Sequence, residues 1–130
     1  MSPTVLVVED EPNIVLSLQF ILKQAGFLVR VARDGDQALR AIDEYVPDLV
    51  LLDIMLPKQD GFSVCEAIRA NKHCRNLKII MLSAKSREAD KERALALGAD
   101  EFVTKPFSTR VLGQMVKEII ATDHSLSKSS

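Results

Sequence analysis

The stretch Leu49-Val50-Leu51-Leu52-Asp53-Ile54-Met55-Leu56-Pro57 decides the fold. Four apolar residues run unbroken into one carboxylate, and a proline follows. A short apolar run bounded by turn signals reads as a strand buried on both faces. The aspartate where such a strand emerges is either a turn-former or a reactive group held at the sheet's edge.

Outward from this strand, the pattern alternates. Thr4-Val5-Leu6-Val7-Val8 is a β-branched strand ending in Glu9-Asp10-Glu11. Pro12 suits the first turn of a helix, where its missing N–H costs nothing. Ile14, Val15, Leu18, Ile21, Leu22 and Ala25 then recur at helical spacing, and Gly26 is a natural stop. Phe27 to Ala32 reads as a second strand. Asp34 caps a helix with Ala38, Leu39, Ile42 and Tyr45 on its inner face, closing before Pro47. After the quoted strand come a helix over Gly61 to Ala70 (Val64, Cys65 and Ile68 inward) and a strand over Leu77 to Ser83. A helix over Ser86 to Leu97 ends at Gly98, and Glu101-Phe102-Val103-Thr104 is a short fifth strand. Ser108 caps a last helix with Val111, Leu112, Met115, Val116, Ile119 and Ile120 inward. Five strands alternating with five helices imply a parallel sheet covered on both faces, joined by right-handed crossovers. The expectation is an α/β, flavodoxin-like doubly wound sheet of order 2-1-3-4-5.

The bulk numbers fit one domain. The chain has 130 residues, 47% hydrophobic and 27% charged, which excludes a disordered chain. A net charge of -1 gives no reason to expect nucleic acid or an acidic membrane surface as partner. No apolar run approaches the roughly 20 residues that span a bilayer. Cys65 and Cys74 form no metal or disulfide pattern and read as free thiols of a cytoplasmic protein, Cys65 on a helix and Cys74 in a polar loop. No signal peptide is expected, since the chain runs from Met-Ser-Pro into a strand. Residues 1–121 read as the domain, and the Ser-rich 122–130 as a loose tail or the start of a linker.

In such sheets, ligands bind beyond the carboxyl ends of the strands, where the strand order reverses, here between strands one and three. Strand one ends at Glu9-Asp10, strand three at Asp53, strand four at Ser83, and strand five runs into Lys105. Taken singly, each residue has a structural explanation as turn chemistry. Their coincidence on one edge is harder to explain so. Three close carboxylates repel one another and push at least one toward protonation unless a cation is present. Magnesium is typically held by one or two carboxylates with waters and phosphate oxygens. With a lysine and a hydroxyl added, these are the parts for phosphoryl transfer to a carboxylate.

At this point the residues resemble the receiver domain of bacterial two-component response regulators. The resemblance is carried by Val8-Glu9-Asp10-Glu11, by Leu52-Asp53-Ile54-Met55-Leu56-Pro57 through Asp60-Gly61, by Leu82-Ser83-Ala84, and by Gly98-Ala99-Asp100 through Thr104-Lys105-Pro106-Phe107. It spans residues 4 to about 121. The resemblance implies that Asp53 is the phosphoacceptor, attacking a phosphohistidine on a sensor histidine kinase or phosphotransfer protein. It implies Mg2+ held by Asp10, Asp53 and the backbone carbonyl of Met55, with Glu9 reaching it through water. Lys105, Ser83 and Ala84 would contact the phosphoryl group. Ser83 and Phe102 would form the switch, and a cis peptide before Pro106 would aim Lys105 into the site. Met55 and Lys85, two residues past Asp53 and Ser83, would flank the water path to the phosphoryl group, Met55 shielding it and Lys85 not acting as a base, which implies a moderately long-lived acyl phosphate.

Blander readings stand beside these. Phe102 reads equally as a half-buried strand aromatic. His73 and His124 read as idle, exposed histidines. Arg87 to Arg93 reads as a solvated helix face with i,i+4 pairs. Rival functions fare worse. A haloacid-dehalogenase-type phosphatase carries a second aspartate two residues after the first, where this chain has Met55. A flavodoxin needs a Ser/Thr-rich phosphate loop after strand one, where this chain has Glu9-Asp10-Glu11. A degenerate receiver acting only as a protein-binding module is the alternative. Response to phosphorylation is expected on the face made by the fourth helix, fifth strand and fifth helix, which would control a downstream effector protein or domain. Winged-helix regulators in this family carry an acid and an arginine on the last helix, where this chain has Val111 and Met115, so a monomer or weak phosphorylation-dependent dimer is expected. No direct nucleic-acid binding and no membrane contact are expected of a chain that is either stand-alone or cut from a longer regulator.

Overall fold

The structure is a computed structural model that describes residues 2–85 and 87–129, with side chains described as far as residue 121. Its elements are β1 (Thr4–Val8), α1 (Pro12–Gln24), β2 (Leu28–Ala32), α2 (Gly35–Glu44), β3 (Leu49–Asp53), α3 (Gly61–Ala70), β4 (Lys78–Ser83), α4 (Glu88–Ala96), β5 (Glu101–Thr104) and α5 (Thr109–Ser129). All four strand pairings are parallel, and the order is β2-β1-β3-β4-β5. The expected doubly wound sheet is therefore the observed one.

Alternation along the central strands sorts the core into two layers. Leu6, Val8, Val50, Leu52, Ile79 and Met81 face α2, α3 and α4. Val5, Val7, Leu49, Leu51, Ile80 and Leu82 face α1 and α5, meeting Leu18, Leu22, Leu112, Val116 and Ile120. β1 and β3 are buried at every residue, as strands covered on both faces must be. Local signals set the helix ends. Asp34 accepts from Gln37 N–H (2.8 Å) and Asp60 from Ser63 N–H (2.8 Å), each capping its helix. Ser108 does the same for Val111 N–H at 3.2 Å. Gly26 and Gly98, with φ of 96° and 109°, close α1 and α4 in the left-handed backbone that glycine adopts freely.

Several expectations need correction. Tyr45 is 57% exposed and Val111 62% exposed, neither facing the core. Tyr45 is the C-cap of α2, already extended (φ -159°), and its ring lies under the Arg30 guanidinium at 5.8 Å. Val111 lies in the first turn of α5, and the buried face of that helix starts with Leu112. Cys74 is not in an open loop: it is buried at the end of a 3-10 turn, Lys72–Cys74. Burial raises the pKa of both thiols, which disfavours the thiolate form. Phe27 and Leu77 fall just outside the strands yet are buried. α4 begins at Glu88, and Ser86, expected as its start, lies outside the described residues. α5 runs on to Ser129, into the stretch read as a loose tail or the start of a linker; no proline or glycine interrupts it after Gly113. His124 lies among residues whose side chains are not described. Among the described residues, no helix is long and apolar enough to cross a membrane.

Candidate functional site

The strand order reverses between β1 and β3, and the chain leaves both strands there with acids. Val8 is the register partner of Leu52, so Glu9 comes out beside Asp53. Asp53 pairs in register with Leu82, and Ser83 with Thr104, which delivers Lys105 to the same edge. Lys105 N–H donates to Ser83 O at 2.6 Å, and the Lys105–Pro106 peptide is cis.

These elements bring four charges together. Carboxylate oxygens of Glu9, Asp10 and Asp53 lie within 4.8 Å of one another. Lys105 Nζ donates to Glu9 Oε1 at 2.7 Å and to Asp53 Oδ2 at 3.2 Å. Glu9 is the most deeply placed acid, 1% exposed, and its Oε2 also accepts from the N–H groups of Asp10 (3.1 Å) and Glu11 (3.2 Å). Asp53 is 3% exposed, while Asp10 faces solvent. Asp53 Oδ1 accepts from Met55 N–H at 3.2 Å.

The crowding has an electrostatic consequence. Burial, then the charge of Glu9, pushes the Asp53 carboxyl from 3.8 up to about 6, against the opposing pull of Lys105. Burial alone would lower Lys105, but its hydrogen bond to Glu9 and the charges of Asp53 and Glu9 outweigh that and hold it above the usual lysine range. One ammonium thus serves two buried carboxylates, and the site keeps uncompensated negative charge. Three oxygen donors with excess negative charge suit a hard divalent cation.

Close backbone approach seals the floor. Gly61 N–H donates to Ile54 O at 2.8 Å, and a Cβ at Gly61 would lie 2.5 Å from Asp53 O. The glycine of Asp60-Gly61 is therefore required by contact.

The other candidates lie around this centre. Ser83 is buried, and its hydroxyl donates to Lys85 O (3.0 Å) and accepts from Lys85 N–H (3.1 Å). Ala84 and Lys85 are exposed, and Met55 is 67% exposed. Phe102 pairs in register with Met81, two residues back along β5 from Thr104, and packs partly buried against the α2–α4 side of the core. A cleft of about 520 Å3 opens beside Lys105, lined by Glu11, Ile14, Ala84, Pro106 and Phe107. His73 is exposed. The charged face of α4 is exposed along most of its length, but Arg93 stacks on the Phe62 ring at 4.1 Å.

Sequence reading missed that Glu9 is the nearest partner of Lys105. Two adjacent acids after a strand carry no signal of which one turns inward.

Known proteins resemble this chain in sequence and in fold. A family model described as the response regulator receiver domain matches residues 5–117. The alkaline phosphatase synthesis transcriptional regulatory protein PhoP of Bacillus subtilis is 44% identical over 130 residues, covering 100% of this chain. The chain spans 53% of that relative's length. A CheY-like response regulator receiver domain protein from Methanospirillum hungatei superposes with a TM-score of 0.88 at 28% identity, covering 96% of this chain and 98% of its own. The signal receiver domain of a histidine kinase from Syntrophus aciditrophicus gives 0.85 at 32%, covering 93% and 92%.

Proposed function

The chain belongs to the response regulator receiver domain family of two-component signalling, and we propose that it is a switch thrown by phosphorylation of Asp53. The observation that carries this is the sharing of one ammonium, Lys105, between two buried carboxylates at the switch point of the sheet. The donor would be a phosphohistidine on a sensor histidine kinase or phosphotransfer protein. An Asp53 oxygen attacks phosphorus, the P–N bond breaks, and the leaving imidazole keeps the electron pair and takes a proton. With its pKa at about 6, Asp53 is mostly ionised at pH 7, as a nucleophile must be. The cleft lined by Glu11, Ile14 and Phe107 gives the donor access from the α1 side.

Asp10, Asp53 and the Met55 carbonyl would hold Mg2+, with Glu9 acting through water. When bound, the ion supplies positive charge against the carboxylates and the phosphoryl oxygens. The product carries roughly -1.5 to -2 charge on the phosphoryl group in place of the single charge of the Asp53 carboxylate. Lys105 then exchanges a carboxylate partner for a phosphoryl oxygen. The Ala84 N–H and the Ser83 hydroxyl contact other phosphoryl oxygens, and Ser83 must first leave the Lys85 backbone that it now bonds. Phe102 fills the space vacated beside β4, and the α4–β5–α5 face changes shape for a downstream effector. Met55 and Lys85 flank the water path without activating water, so the acyl phosphate is moderately long-lived. A cytoplasmic chain that is monomeric, or dimerises weakly when phosphorylated, completes the reading, with residues 1–121 as the working domain.

Incubation with acetyl phosphate and Mg2+, followed by intact-mass measurement, tests this. The expected result is one added phosphoryl group in the wild type and none in Asp53→Asn. No addition to the wild type would overturn the switch and leave a phosphorylation-independent binding module.

A further inference from the structure

The loop between β3 and α3 is tied to an element that contributes nothing to the acidic cluster. Gly35 N–H, at the start of α2, donates to Pro57 O at 3.4 Å. Gln59 Nε2 donates to Asp36 Oδ1 at 2.9 Å. Lys58 Nζ lies 3.9 Å from Asp34 Oδ2, while Asp34 caps α2 with its other oxygen. The fit is close: a Cβ on Gly35 would stand 2.6 Å from Gln59 Cβ and 2.9 Å from Gln59 O. Lys58 adopts φ of 70°, a left-handed backbone disfavoured for a residue with a side chain and kept only where the surroundings impose it.

At its other end the loop is held by Gly61 N–H on Ile54 O (2.8 Å). Met55 lies between the two ties, and its N–H is the backbone donor to Asp53 Oδ1. The Met55 N–H shares its peptide plane with Ile54 O, which Gly61 N–H holds, and Ile54 N–H donates to Leu82 O at 2.9 Å; the α2 ties at Pro57 and Gln59 hold the chain that follows Met55.

We propose that Gly35, Asp36 and Gln59 are positioning residues: through them, the start of α2 sets the backbone of Met55 and so the orientation of the Asp53 carboxylate. The purpose of that orientation, presenting Asp53 to metal and phosphoryl group, rests on the function proposed above. The strap itself does not. It also gives α2 a route to the site, since a shift of its first turn moves Pro57 and Gln59 with it.

The test is a set of variants, Gln59→Ala, Asp36→Ala and the double variant, with Gly35→Ala as the steric probe. In metal-free protein, exchange of the Met55 amide measured by NMR is expected to rise roughly fivefold, the loss of about one hydrogen bond, with the Leu51 amide unmoved. The Mg2+ dissociation constant from amide-shift titration rises by a similar factor, and the double variant is no worse than either single one. Gln59→Ala and Asp36→Ala add no atoms, so they decide the matter if Gly35→Ala does not fold. Wild-type exchange at Met55 in both would overturn the proposal. If the wild type itself binds no Mg2+, the functional reading fails, and the strap stands or falls on the Met55 amide alone.

Discussion

Asp48 immediately precedes β3, and Asp53 is its last residue. At the first position, Asp48 Oδ2 accepts from Thr4 N–H at 2.7 Å, and its backbone N–H and C=O bond Thr4 and Lys78. Asp100, on the same edge, takes Ile79 N–H at 2.8 Å and the Arg69 guanidinium at 3.0 Å through one oxygen. At the other end, Asp53 has one backbone donor at 3.2 Å and a share of Lys105, which sits closer to Glu9. The same side chain is a pin at one end of the strand and a buried acid short of donors at the other. What separates them is the match of donors to acceptors. Carboxylates at the near edge meet backbone N–H groups that need acceptors, so both sides gain. At the far edge three carboxylates crowd together, Lys105 is shared between two of them, and negative charge is left in excess.

The most demanding way to break this contrast is chemical. Asp53→Asn is expected to abolish phosphoryl addition from acetyl phosphate, and Asp48→Ala to leave it intact by mass. Addition that survives in Asp53→Asn would place the acceptor elsewhere. Next in size, Arg69→Ala is expected to destabilise by about 3 kcal/mol in urea unfolding, because the guanidinium bonds Gly98 O, Leu77 O and Asp100 together.

Asp53→Asn should move stability the opposite way. Its folded pKa of about 6 lies above the unfolded value of 3.8, so the folded state binds this proton more tightly. The Asp53 contribution to stability is complete below pH 3.8 and is lost as pH rises through about 6. At pH 7 the ionised carboxylate is a net cost, and the amide is expected to stabilise by about 3 kcal/mol, a gain that shrinks as pH falls through about 6 and is gone only below 3.8. A destabilised Asp53→Asn at pH 7 would mean that Lys105 fully compensates the acid. The smallest effect is at the pin: Asp48→Ala is expected to cost about 1 kcal/mol, without the pH profile of Asp53.

Much of this was legible residue by residue. β1, α3 and β5 begin and end where the sequence pattern places them, and Gly26, Gly98, Asp34 and Ser108 act as the expected punctuation. The misplaced side chains, Tyr45 and Val111, sit at helix ends. Periodicity assigns a face but does not say where the core beneath that face stops. Cys74 was misread for a similar reason, since polar neighbours on both sides hide a single buried position in a short turn.

By itself, the sequence determined the layered sheet, its strand order, and the edge on which Glu9, Asp10, Asp53, Ser83 and Lys105 meet, because burial on two faces and alternating elements admit few other solutions. Only the tertiary structure decided that Glu9 turns inward while Asp10 faces solvent, that Lys105 is divided between two acids, that the start of α2 straps the loop after Asp53, and that Asp53 is held near pH 6. Lys105 lies 96 residues from Glu9 and 52 from Asp53 along the chain. Coulomb energy and desolvation depend on ångströms between such groups, and no local pattern in the chain carries those distances.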